Sequence, residues 1–480
     1  MPEESPEVAS TYPISAPALS GVKEQFRLFA LEEIPLPSPE VMERLQRELT
    51  KRERLATLLQ GELNFHGEDS GYASHDLHAF AAKFPPQLPR AFIRGLTSPG
   101  DVVLDPMMGS GTTIVEAMLE GRRGVGLDID PLALRLGRVK TMPLDVYSLR
   151  DEGYKVISRA SISLSDATTI DREIAQRFDE RTKAFLDYWF LPTTQRELMA
   201  LVLALENVTD TSVHRFLELT FSSIIVTKSG GVSRARDLAH SRPHLDETKV
   251  PKNALEQFSL RMRKNLGSIA QLKTNATMTT PLAGDARFMP FADEVIDLIV
   301  TSPPYANAID YMRAHKFSLV WLGECVAGLS ELRARYIGSE RVERTLYAAL
   351  PGRAEMIVRD LAERDSSKGA ILRKYLVEMR SVLGEMYRVL RSDSAAVVVV
   401  GTSMIRSIDV QTHYCLADIA AAVGFDVVGV VQRILDRNKR MMPARFGRKT
   451  DSMIEQRMHE EYVIGLIKSE RLYRGLYAKS

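Results

Sequence analysis

Asp101-Val102-Val103-Leu104-Asp105-Pro106-Met107-Met108-Gly109-Ser110-Gly111-Thr112-Thr113 passes from a short apolar run through a glycine-bearing turn. Ile114, Val115, Met118 and Leu119 then recur at helical spacing. Strand, glycine-rich turn and helix make the nucleotide-binding opening of a doubly wound sheet, whose ligands sit beyond the carboxyl ends of the strands. The glycines let backbone approach a ligand closely. A P-loop needs a Lys before its Ser/Thr, whereas Thr112 follows Gly111 directly. The dinucleotide fingerprint is not matched either, so a cofactor without phosphates fits better. Gly124-Val125-Gly126-Leu127-Asp128-Ile129-Asp130-Pro131 reads as a second strand ending in acid. A carboxylate there can accept both hydroxyls of a ribose. Taken alone, the same stretch also reads as a plain βαβ unit with helix-capping acids.

Further along, Val295-Ile296-Asp297-Leu298-Ile299-Val300 is an apolar, β-branched run of strand length, and Thr301-Ser302-Pro303-Pro304-Tyr305 follows it. Two consecutive prolines cannot extend a hydrogen-bonded ladder, because proline lacks the amide donor. Proline also biases the residue before it toward extended geometry. The loop therefore presents a hydroxyl, an aromatic ring and free carbonyls. That inventory suits a flat heterocycle bearing an amino group: the ring stacks, and the oxygens accept the two N–H hydrogens. An ordinary turn is the alternative reading.

Asp105-Pro106-x-x-Gly109-Ser110-Gly111-Thr112-Thr113 together with Thr301-Ser302-Pro303-Pro304-Tyr305 resembles the amino-group DNA methyltransferases. That family methylates N4 of cytosine or N6 of adenine with S-adenosyl-L-methionine. The likeness extends over roughly residues 75–145 and 280–470. It implies cofactor contacts at Asp105, Pro106, Met107, Gly109, Ser110, Gly111, Thr112, Thr113, Asp128, Ile129 and Thr301. Gly284-Asp285-Ala286 is similar to the family's third cofactor element, which adds Asp285 and Ala286; Asp285 is otherwise a turn residue. Lys83, Phe84 and Pro85 fall where the family closes over its cofactor, although His78-Ala79-Phe80 departs from the usual pattern there. Met107-Met108 replaces the family's common aromatic and still offers a polarizable wall.

The remaining apolar runs complete the sheet. A helix from Tyr375 to Leu390 leads into a strand at Ala395–Val400, a helix at Leu416–Val423 into a strand at Phe425–Val431, and Glu461–Ile467 forms the last strand. Strands alternating with helices predict an α/β fold, a mostly parallel Rossmann-like sheet with helices on both faces. The resemblance makes it a class I methyltransferase sheet with an antiparallel final hairpin. Cofactor motifs precede the catalytic loop with a long segment between, which is similar to the family arrangement called alpha. Residues 146–279 are then the expected target recognition domain, largely helical (Phe185, Trp189, Leu198, Leu201, Val202, Leu205). The other expected divisions are a disordered tail at 1–22, a helical segment at 23–74 with a helix from Glu40 to Leu59, and a tail at 471–480. The cofactor half covers 75–145 and the catalytic half 280–470, the latter with a charged insertion at 324–375.

Double-stranded DNA is the implied partner. Lys228, Ser233, Arg234 and Arg236 combine cations and a hydroxyl with glycines, as phosphate and base-edge contacts need. Arg437, Lys439, Arg440 and Arg445 lie in a second basic loop that begins at Arg433. Solvated loops are the alternative in both places. Net charge is only +1 over 480 residues, so any nucleic-acid footprint is local. No apolar run is long enough for a membrane span, and the acidic, Pro-containing start is unlike a secretory signal. The two cysteines, Cys325 and Cys415, have no metal-ligand spacing and read as buried packing residues of a cytoplasmic protein. No metal is expected. Neither cysteine follows a proline, which excludes the nucleophile of cytosine C5 methyltransferases.

The expected chemistry is direct transfer to an amine of a flipped base. Ser302 and the Pro303 carbonyl would accept the amine hydrogens, with Pro304 stiffening the loop and Tyr305 stacking on the base. Adenine-specific relatives usually carry Asp or Asn at the position of Ser302, so cytosine N4 is favoured, within a restriction-modification or defence system and beside a cognate endonuclease. Adenine N6, an RNA amine, and a catalytically silent DNA-binding subunit remain as alternatives. Asn307, Asp310 and Tyr311 open a helix running to Trp321.

Overall fold

The computed structural model describes residues 49–80, 83–227, 231–236, 243–272, 278–306, 310–342, 348–401, 403–435 and 460–469. Seven strands form one sheet: β1 (Val102–Asp105), β2 (Arg123–Asp128), β3 (Thr279–Ala283), β4 (Ile296–Thr301), β5 (Leu390–Gly401), β6 (Asp426–Ile434) and β7 (Glu460–Lys468). Their order across the sheet is β6-β7-β5-β4-β1-β2-β3. β3, β2, β1, β4 and β5 run parallel, whereas β7 lies antiparallel between β5 and β6. Every strand expected from the sequence is present. Pro281 is tolerated because β3 is an edge strand, where a missing amide donor breaks no inner ladder.

The strands read as unbroken apolar runs because both faces of the sheet are covered. Side chains alternate across the pleat. Leu298, Val300, Val397 and Val399 pack on one face against Leu55, Leu59, Leu88, Phe92 and Ile93. These belong to α1 (Lys51–Gln60) and α2 (Gln87–Leu96). Ile299, Ala396, Val398 and Val400 pack on the other face with Leu361, Leu376, Leu383 and Leu416. α3 (Thr112–Leu119) follows the glycine turn, and α4 (Pro131–Thr141) follows β2 with Asp130 capping its first amides.

The expected helix at 40–59 begins only at Lys51 within the described residues. Thr50 has extended backbone and forms a capping box with Glu53, which fixes a helix start there. Leu55 and Leu59 then seat against Gly465 of β7, where an added Cβ would lie 2.5 Å from the Leu59 Cδ1. This helix is part of the sheet's packing rather than a separate segment.

Five consecutive helices, α5 (Val146–Ser163), α6 (Ala167–Arg177), α7 (Glu180–Trp189), α8 (Pro192–Glu206) and α9 (Thr211–Ile225), precede α10 (Ala254–Ala270). Leu198, Leu201, Val202 and Leu205 are buried in their shared core, as their spacing suggested. α11 (Tyr311–Leu319) and α12 (Val326–Ala334) join the same core through Phe317, Trp321 and Leu329. The segment 324–375 therefore divides. α12 docks on the helical layer, where the Val326 amide donates to Thr182 Oγ1 at 3.1 Å. α13 (Gly352–Arg364) instead covers the sheet beside α14 (Ser366–Val389), and α15 (Thr412–Val423) lies next to α14. Cys415 is buried as expected, but Cys325 is exposed, because its sulfur caps α12 by accepting the Gly328 amide.

Leu55→Ala removes a fully buried side chain from the α1–sheet contact. It should lower unfolding free energy by about 2–5 kcal/mol. Urea denaturation measures this, and an unchanged midpoint would refute the integral role of α1.

Candidate active site

β1 and β4 are adjacent, so the glycine turn after Asp105 and the loop after Thr301 leave the sheet side by side. Thr301 Oγ1 donates to Asp105 Oδ1 at 2.7 Å, and both residues are buried. Above them lies a cleft that opens to solvent. Of the expected cofactor residues, Lys83, Phe84, Asp105, Pro106, Met107, Gly109, Ser110, Thr112, Asp128, Ile129, Asp285 and Ala286 line it. Ser302 and Pro304 line it too. Pro85, Gly111, Thr113, Thr301, Pro303 and Tyr305 do not. Gly111 and Thr113 instead shape the turn: Gly111 takes φ +77°, and Thr113 Oγ1 donates to the Val300 carbonyl.

Carboxylates dominate the polar lining. Asp128 Oδ2 accepts the Gly109 amide and its Oδ1 the Asp130 amide, each at 2.8 Å, pinning the glycine turn to the end of β2. Gly109 has φ +47°, and a Cβ there would lie 3.1 Å from the Phe80 ring. Burial raises the Asp105 carboxyl to about 6, against the Thr301 hydroxyl that favours its charged form. Burial, then the Asp130 charge, raises Asp128 to about 7. Asp130 moves the other way. Burial opposes its charge, yet His315 Nδ1 at 2.6 Å and the Tyr336 hydroxyl at 2.9 Å hold it below the usual carboxylate range. Asp285 is clamped by Arg287, whose guanidinium also reaches Glu378 at 2.7 Å and the Arg335 carbonyl at 2.9 Å.

Several lining residues escaped the sequence reading: Phe80, Asp130, Gly284, Arg335, Tyr336 and Ile337, whereas Met108 lines the cleft beside Met107. Tyr311, one of the helix residues expected near the loop, lines the cleft as well. Arg335 to Ile337 come from the segment read as a charged insertion, and Arg287 and Glu378 bind it over the cleft. Phe80 stacks on Tyr311 with ring centroids 5.6 Å apart. Its segment is fastened to the helical layer by Lys264–Asp76 at 2.6 Å and by His78 Nε2 2.9 Å from Ser222 Oγ. Lys140 is fully buried on the apolar stripe of α4, and its ammonium donates to the Ser110 carbonyl at 2.7 Å. A lysine on that stripe was the sequence signal.

The expected nucleic-acid residues fare differently. Lys228, Arg437, Lys439, Arg440 and Arg445 lie outside the described residues, as does Asn307. Arg236 is exposed and 3.6 Å from Asp246. Ser233 is fully buried, contrary to expectation, because its hydroxyl closes a turn by accepting the Ala235 amide. Arg433 is buried as well, donating to Glu461 at 2.6 Å rather than facing solvent. Tyr305 packs its ring against Gly401 instead of lining the cleft. Among the described residues no metal-holding group of three or more His, Cys, Asp or Glu occurs, and no helix is long and apolar enough to cross a membrane.

A family model described as DNA methylase matches residues 32–138. Type II methyltransferase M.MvaI of Kocuria varians is 23% identical over 387 residues, covering 74% of this chain and 83% of that protein. Type II methyltransferase M.BsoBI of Geobacillus stearothermophilus is 26% identical over 262 residues, 49% of this chain and 50% of that one. Among solved structures, a SAM-dependent methyltransferase from Methanosarcina mazei aligns over 79% of this chain and 97% of its own, at 9% identity and TM-score 0.28. The seven-stranded order with its antiparallel β7 makes a Rossmann-like α/β sheet, and the match to the DNA methylase family points to S-adenosylmethionine as the methyl donor. The family-model match and the curated relatives make the chain similar to the amino-group (N6/N4) DNA methyltransferases.

The cleft suits that donor chemically. A sulfonium and an ammonium are cationic, and the lining offers four aspartates with Met107, Met108, Ile129 and Ala286 as apolar walls. Asp105 and Asp128 have raised folded-state values, so the folded chain holds protons that the unfolded chain releases. Their stabilising contribution is complete below about pH 3.8 and is lost as pH rises through 6 to 7. The urea midpoint of the unliganded protein should fall across that window. Asp128→Asn should flatten the slope, and an equally steep slope in the variant would count against Asp128.

Proposed function

We propose that the chain transfers a methyl group to the N4 amine of cytosine in double-stranded DNA. The observation that carries this reading is the shared cleft wall: Ser302 and Pro304 line the same cavity as Asp105, Gly109 and Asp128. Asp128 would take the ribose hydroxyls, Asp285 the adenine amino group, and the turn at Gly109 the amino-acid end of the donor. Phe80, Lys83, Phe84 and Ile337 would exclude water from it. When bound, S-adenosylmethionine supplies an electrophilic methyl on a sulfonium.

An exocyclic amine is a weak nucleophile because its lone pair is delocalised into the ring. The Ser302 hydroxyl and the Pro303 carbonyl would accept its two hydrogens and favour a pyramidal nitrogen. Orientation then contributes most of the acceleration. As the nitrogen–carbon bond forms the amine gains positive charge and releases one proton to solvent, so no strong base is required at the loop. A neutral Ser302 hydroxyl suits cytosine, whose ring nitrogen N3 is comparatively basic; this favours N4 over adenine N6.

Residues 146–279, which contribute the helices α5 to α10, would read the target sequence, with Arg236 exposed. A cognate restriction endonuclease in the cytoplasm is the partner of this reading, which the likeness to Type II methyltransferases supports.

Expression in cells lacking DNA methylation, followed by single-molecule sequencing, should reveal N4-methylcytosine at one recurring sequence. N6-methyladenine would replace the cytosine assignment, and absent marks would overturn the enzymatic reading. Ser302→Ala should lower turnover roughly a hundredfold or more while donor binding by calorimetry is kept. Donor affinity itself should weaken as pH falls below about 7, because a protonated Asp128 accepts less well; a flat binding profile would remove Asp128 from that role.

A further inference from the structure

We infer that Glu461 is a positioning residue for the Ser302–Tyr305 loop, acting through the Tyr305 hydroxyl and steadied by Arg433. The inference rests on the reading of that loop as the one that receives the target base.

Three residues stand in one row across the sheet. Arg433 on β6 faces Glu461 on β7, and Glu461 faces Gly401 on β5. The Tyr305 ring lies over Gly401, where an added Cβ would come within 2.7 Å of it. Its hydroxyl reaches the neighbouring strand and donates to Glu461 Oε1 at 2.8 Å. The other carboxylate oxygen accepts from Arg433 at 2.6 Å. Arg433 also donates through Nε to the Leu63 carbonyl at 3.0 Å and through Nη2 to the Asn64 carbonyl at 3.5 Å. The row is thus a socket: glycine supplies the space, the carboxylate the acceptor, and the guanidinium holds the carboxylate still.

Packing alone does not require this socket. Glu461 and Arg433 are 8% and 2% exposed, and a buried ion pair adds little stability over apolar residues of similar volume. What it fixes is position. Thr301 is anchored to Asp105 at one end of the loop, and Tyr305 to Glu461 at the other. Ser302, Pro303 and Pro304 span the interval between two side-chain anchors. The prolines restrict that span, so fixing its ends fixes where the Ser302 hydroxyl points.

The test uses the full chain, tritiated S-adenosylmethionine and unmethylated genomic DNA. Tyr305→Phe and Glu461→Gln should each lower kcat roughly ten- to a hundredfold, with the KM for the donor unchanged. The double variant should be no slower than the slower single one, since both remove the same link. Additive losses or wild-type turnover would overturn the inference. Gly401→Ala crowds the ring without touching the carboxylate and should give the same loss with donor binding kept; full turnover would overturn it. Amide exchange provides a readout independent of activity. Exchange at Tyr305 and Ala306 should accelerate in Glu461→Gln while Val103 to Asp105 stay protected, and unchanged exchange at Tyr305 would be equally fatal. Wild-type protein that methylates nothing, yet shows this exchange pattern, would instead defeat the proposed function.

Discussion

The hydrogen bond from Thr301 to Asp105 is the constraint on which the rest of the site depends. It joins strands whose residues lie 196 positions apart in the chain, at the point where the strand order reverses direction. Thr301 is fully buried and Asp105 nearly so, which leaves water little place as an alternative partner. A buried hydroxyl or carboxylate without its partner is costly, which makes the pairing of β1 with β4 specific as well as apolar. The glycine turn and the Pro-Pro loop inherit their separation from it.

Around that bond the protein concentrates negative charge and then distributes it unevenly. Asp130 is matched by His315 and Tyr336, and Asp285 by Arg287. Among the described residues, Asp128 receives backbone amides, and Asp105 the hydroxyls of Thr301 and Thr113 and the Met107 amide. The two less compensated acids are the ones whose proton affinity burial raises. A cationic ligand entering the cleft meets acids that gain from its arrival, which is how such a site stores electrostatic selectivity.

The sheet was legible because both its faces are covered. An unbroken run such as Ala395–Val400 leaves no ambiguity of face, and each turn chemistry sat directly after a strand. The glycine turn, Asp128 and Ser302 were readable for the same reason: each is local to a strand end. What was not legible depends on distant partners. The wall at Arg335–Ile337 is held by Arg287 and Glu378, and nothing in the charged stretch itself reveals them. Phe80 reaches the cleft only because Asp76 and His78 are tied to helices far along the chain. Ser233 and Arg433 carried the composition of surface contacts, yet local turn closure and a cross-strand acid bury them. Cys325 looked like a packing residue because cysteine usually is one; here a helix start claimed its sulfur.

The slot of β7 has a consequence for how such a chain emerges from the ribosome. β5 and β6 are made first, but they are not neighbours; the strand that separates them follows both in the sequence. Until it arrives, each exposes an unpaired apolar edge, and pairing directly with the other would close the sheet in the wrong order. Glu461 belongs to that late strand, so Tyr305 gains its acceptor only when the sheet is whole. Nascent chains with unfilled edges are open to misassembly, and a loop fastened by the final strand keeps incomplete molecules from holding a finished site.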